Sequence, residues 1–82
     1  MTTTTAAAQI ASNHDRMSRM SAAELVKLAK AIYAEDAADM PELLNNVAYA
    51  IRCQIGGGGR YGSVDSDARL RRAANYVDGM IG

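Results

Sequence analysis

The residues with chemistry to offer are few. The chain has one cysteine, Cys53, one histidine, His14, and an acidic group made of Glu35, Asp36, Asp39 and Glu42. A glycine run, Gly56 to Gly59, leads into Arg60, Tyr61 and Gly62, and three arginines, Arg69, Arg71 and Arg72, fall close together near the end. Structural zinc needs four cysteine, histidine or carboxylate ligands, and one Cys and one His almost forty residues apart do not supply them. A cysteine nucleophile needs a base and an electropositive setting, whereas helical spacing puts Cys53 beside Glu42 and Asn46. His14 lies next to Asp15 but also next to Arg16, so it reads as a solvated histidine whose one role is a contact sensitive to pH near neutrality.

The glycine run lacks the lysine and the hydroxyl of a phosphate loop and follows a helix rather than a strand. It reads either as a connector or as a display of Arg60 and Tyr61, residue types enriched at interface hot spots. Calcium is disfavoured at the acidic group, whose spacing lacks the glycine and alternating ligands of a helix-loop-helix site. These absences predict no enzyme activity, no metal and no cofactor. They leave binding as the function to be argued.

Composition narrows the choice of partner. Nine basic and nine acidic residues cancel, which removes the overall positive field expected of a protein that holds nucleic acid through phosphates. The charge is polarised, however. Residues 21 to 44 set Glu24, Glu35, Asp36, Asp39 and Glu42 against Lys27 and Lys30, while the stretch from residue 45 onward is basic on balance. A lone cysteine, no basic-then-apolar leader and no long apolar run predict a cytoplasmic protein without a membrane partner.

The elements that must position these residues are helices. Ser21-Ala22-Ala23-Glu24 is a capping box, and Leu25, Leu28, Ala29 and Ile32 follow at helical spacing, with Val26 and Tyr33 widening the stripe. Asp39 is the expected N-cap of a second helix, with Pro41 in its first turn and Glu42 three residues on. Met40, Leu44, Val47, Ile51 and Ile55 form its apolar stripe, and Glu42, Asn46, Tyr49 and Cys53 its outer face. The glycines end it.

Asp65 or Ser66 caps a third helix with Leu70, Ala73, Ala74, Val77 and Ile81 inside, Arg69, Arg72 and Tyr76 on the flank, and an Asp67–Arg71 pair four apart. Before Ser21, Ala6, Ile10, Met17 and Met20 suggest helix, but Asn13 and His14 interrupt the apolar face. The expected fold is therefore all-α. It is a single domain over residues 1–82, frayed over 1–8, with three to four helices and a glycine-rich loop before the last. At this length only about 60% of the chain's surface is buried on folding. With no Trp or Phe and sixteen Ala, the core is thin, and a homodimer would add burial.

Two binding readings follow. In the first, Glu35 and Asp36 stand at a helix C-terminus, where the dipole disfavours negative charge. They join Asp39 and Glu42 in an acidic patch that docks on a basic surface. In the second, the first two long helices form a helix-turn-helix that offers Asn45, Asn46, Tyr49 and Arg52 to the major groove, although Asp36, Asp39 and Glu42 would repel phosphates. Arg69, Arg71 and Arg72 on the last helix make a better phosphate contact in that case.

As a whole-chain profile rather than a motif, a very short chain with an acidic cluster and no enzyme signature resembles the small phage-encoded anti-CRISPR inhibitors. The resemblance implies stoichiometric binding to a host CRISPR surveillance complex. Carboxylates of Glu35, Asp36, Asp39 and Glu42 would occupy lysines and arginines that hold target DNA, and Tyr49 or Tyr61 would anchor the contact. The zero net charge departs from the strongly acidic character of many DNA-mimicking inhibitors.

Overall fold

Ser21 starts the central helix by the capping box its sequence announces. Its Oγ accepts the Glu24 amide at 3.3 Å, and the Glu24 carboxylate accepts the Ser21 amide at 3.2 Å. In the computed structural model, which describes residues 6–57 and 65–81, this helix is the third of five. They are α1 (Ala6–Ala11), α2 (His14–Met17), α3 (Ala22–Glu35), α4 (Met40–Cys53) and α5 (Asp67–Ile81), with a 3-10 turn at Ile55–Gly57. The protein is all-α, as expected, and has more helical pieces than expected because the N-terminal stretch is broken in two. Asn13 makes the break. Its backbone is extended and its Oδ1 accepts the Arg16 amide at 3.1 Å, so it caps α2.

The core is the meeting of α3, α4 and α5, closed by the N-terminal helices. Leu25, Leu28, Ala29 and Ile32 come from α3, and Leu43, Leu44, Val47, Ala48, Ala50 and Ile51 from α4. Leu70, Ala73, Ala74 and Val77 come from α5, while Ala11 and Met17 cover one end. The small residues let α4 and α5 pack closely. Tyr33 does not widen the buried stripe of α3. It is half exposed, because the stripe already ends at Ile32 and no described element covers the next position. Met40, Ile55 and Ile81 are likewise only partly buried, each standing where its helix runs out of neighbours.

Four polar bonds, distant in sequence, tie the pieces together. Gln54, 2% exposed, donates from Nε2 to the Met20 carbonyl at 3.0 Å, and Asn46 donates to the Ala11 carbonyl at 3.3 Å. Both hold the N-terminal helices against α4. Asp65 accepts the Ala22 amide at 2.8 Å, giving α3 a second cap from across the fold, and Asp67 accepts the Gly56 amide at 2.8 Å. The expected Asp67–Arg71 pair yields to this last bond, a charge-assisted one to a main-chain donor where the last glycine-bounded turn of α4 ends. Ser66, one of the two expected caps of α5, accepts the Arg69 amide at 3.3 Å. Gly56 takes φ +75°, the left-handed conformation that ends the α4 segment.

Candidate functional site

The acidic residues do come together. Glu35 is the last residue of α3, Asp36 its C-cap, Asp39 the residue before α4, and Glu42 lies in the first turn of α4, all exposed at one corner. Two details revise their local roles. Asp36 sits at φ 50°, ψ 40°, a left-handed position that short polar residues tolerate better than most, so its place has a folding reason after all. Asp39 occupies the N-cap position of α4 with φ −90° and ψ 8°, outside the extended region a capping side chain needs, and makes no side-chain cap bond. Pro41 and Glu42 favour the start of α4 without it.

Two of the four residues of the proposed base-reading face of α4, Asn46 and Arg52, are bonded to other parts of the fold. Asn46 is half-buried on the Ala11 carbonyl. Arg52 forms a double contact with Asp78 of α5, one arm being Nη1 to Oδ1 at 3.3 Å. The same pairing raises the Arg52 pKa above its already high ordinary value. Tyr49 is 60% exposed, but its ring meets that of His14 at 5.4 Å between centroids, tilted by 47°. Hydrogen bonding to Cys53, one turn on, raises the Tyr49 phenol above its ordinary value. His14, Tyr49 and Asn46, with Ala11, Ser12 and Met17, line a cleft of about 280 Å³.

A second concavity lies between α3 and α5. Ala22, Ala23 and Val26 from the first turns of α3 face Arg69, Arg72, Ala73 and Tyr76 of α5 across a groove of about 510 Å³. Tyr76 is half exposed, and the Lys30 ammonium sits 5.7 Å from its ring centroid, within reach of a cation–π contact. Arg69 leans on Asp65 at 3.7 Å, whereas Arg71 and Arg72 have no ion-pair partner among the described residues. The α5 wall was legible as a flank of Arg69, Arg72 and Tyr76. The α3 wall was not, because Ala22 and Ala23 read only as helix-start residues.

Arg60 and Tyr61 lie outside the described residues. Among those described, no group of three or more His, Cys, Asp or Glu could hold a metal ion, and no helix is long and apolar enough to cross a membrane. No protein-family model, no curated protein and no solved structure matches this chain. What fold and surface define is therefore a class: an all-α bundle, with five α-helices among the described residues, that carries an acidic corner and a groove beside Arg69 and Arg72.

Proposed function

We propose that this chain is a non-catalytic protein-binding module that docks its acidic corner on a basic surface of a host nucleic-acid-handling complex. An inhibitor of the anti-CRISPR kind, encoded by a phage or mobile element, would act in this way. The observation that carries the reading is Asp39. It stands at a helix start with its carboxylate making no cap bond to that helix, exposed beside Asp36 and Glu42. Such a set of carboxylates is matched to lysines and arginines that otherwise hold phosphate. A second reading, direct nucleic-acid binding through α5, is favoured by Arg71 and Arg72, which have no ion-pair partner among the described residues. The bonds of Asn46 to the Ala11 carbonyl and of Arg52, at the surface, to Asp78 weigh against a base-reading α4.

The test is affinity capture of the tagged protein from a host lysate, with and without nuclease. A nuclease-resistant protein complex, lost on Glu35→Lys with Asp36→Asn and weakened by salt, supports docking through the corner. Asparagine keeps the left-handed turn tolerable at residue 36, so the variant tests charge rather than folding. Unchanged capture by that variant would sink the acidic-corner mechanism. Recovery only while nucleic acid is intact would move the function to Arg69, Arg71 and Arg72.

A further inference from the structure

The groove between α3 and α5 has an alanine and valine floor, Ala22, Ala23, Val26 and Ala73, beside Arg69 and Arg72, and the Lys30 ammonium lies 5.7 Å from the ring of Tyr76, which also lines it. Asp65, which holds the start of α3 beside it, already accepts the Ala22 amide and pairs with Arg69, and its side chain is 6% exposed. An occupant must therefore bring small apolar groups flanked by carboxylates. The α3–α4 corner has that make-up. Ala34, Ala37 and Ala38 are exposed there, among Glu35, Asp36, Asp39 and Glu42.

We propose that the groove receives the α3–α4 corner of a second copy of this chain, so that copies associate head to tail. The groove lies at the first turns of α3 and the corner at its last. At 1.5 Å per residue the two are separated by most of a 14-residue helix, and one copy cannot fill its own groove. A two-fold pairing of groove with groove is disfavoured, because Arg69 and Arg72 would face their own counterparts. Head-to-tail contact puts unlike charges together instead, and such a contact closes into a ring or continues as a chain. The chain's zero net charge divided into acidic and basic regions is the composition that such self-complementarity requires. The contact is small and charge-led, so association is weak and falls as salt screens it.

Sedimentation velocity of the purified protein, without any host component, tests this separately from host docking. The weight-average mass should rise with concentration at low salt, past about twice the monomer if chains extend. It should return to monomer near 1 M salt, where the screening length is about 3 Å. A groove variant, Ala23→Glu with Arg72→Glu, and a corner variant, Asp36→Asn with Asp39→Lys and Glu42→Gln, should each be monomeric. Mixed, they should form a one-to-one pair and stop, because one retains its corner and the other its groove. Helical circular dichroism and melting confirm that each is folded, and Ala23→Gln with Arg72→Ala is the milder groove variant if the first is not.

A wild-type protein that stays monomeric throughout overturns the proposal, as does association that survives either variant or a mixture that fails to pair. A monomer whose groove variant alone loses a lysate partner would assign the groove to a foreign acidic segment, and would also overturn it.

Discussion

Two concavities of this bundle are built on opposite plans. In the cleft between α2 and α4, polar side chains are engaged by the fold: half-buried Asn46 binds the Ala11 carbonyl, and the exposed rings of His14 and Tyr49 lie against each other. Nearby, Gln54 binds the Met20 carbonyl in a buried setting. In the groove between α3 and α5, the floor is alanine and valine and the polar groups stand on the rim, with Arg72 making no ion pair to a described residue. One concavity is a joint and the other is a surface. Concavity alone does not mark a binding site; what distinguishes the two is whether their polar groups already have partners.

Substitution sharpens that distinction. The largest effect is expected at the joint's apolar end, where Met17→Ala empties a site that is 1% exposed and should cost about 3 kcal/mol in urea unfolding. Gln54→Ala leaves the Met20 carbonyl without its partner and opens a smaller void, for about 2 kcal/mol by the same measurement. Asp65→Ala removes the long-range cap of α3 and should cost about 1 kcal/mol. At the groove, Ala23→Glu should change stability by no more than about 0.5 kcal/mol, since residue 23 is exposed and glutamate is a good helix former near an N-terminus. A groove substitution as costly as Gln54→Ala would erase the contrast.

The subtlest expected effect is spectroscopic. Cys53→Ala removes the hydrogen bond that raises the Tyr49 phenol, so its tyrosinate absorbance should appear at lower pH than in the parent protein. An unmoved titration would show that the Tyr49–Cys53 contact does not govern that group.

How much of this was legible in the sequence depends on distance along the chain. The Ser21 box and the stripes Leu25-Leu28-Ala29-Ile32, Leu44-Val47-Ile51 and Leu70-Ala73-Ala74-Val77 are local patterns; the box forms as read, and every residue of the three stripes is buried. The acidic corner was legible for the same reason, as Glu35 to Glu42 lie on one turn. Asp39 takes the N-cap position that its residue type favours, but its backbone angles do not let the side chain make the cap bond, and no local pattern announces that.

The bonds Asp65 to Ala22, Asp67 to Gly56, Gln54 to Met20 and Asn46 to Ala11 join residues 11 to 43 positions apart, and no periodicity announces them. Asn46 had been placed on an outward face by helical spacing alone. The groove combines both cases: its α5 wall is a local cluster, and its α3 wall acquires meaning only once α5 lies beside it.

The two aspartates after the glycine run carry a consequence for engineering and for descent with modification. Asp67 holds Gly56 and Asp65 holds Ala22, so the chain on both sides of residues 58–64 is fastened independently of that segment's own length. Closing a longer connection between fixed ends costs only about 0.6 kcal/mol for each doubling of its length. This bundle can therefore accept an epitope, a tag or a whole inserted domain between Gly57 and Asp65, and relatives that differ in length should differ there first.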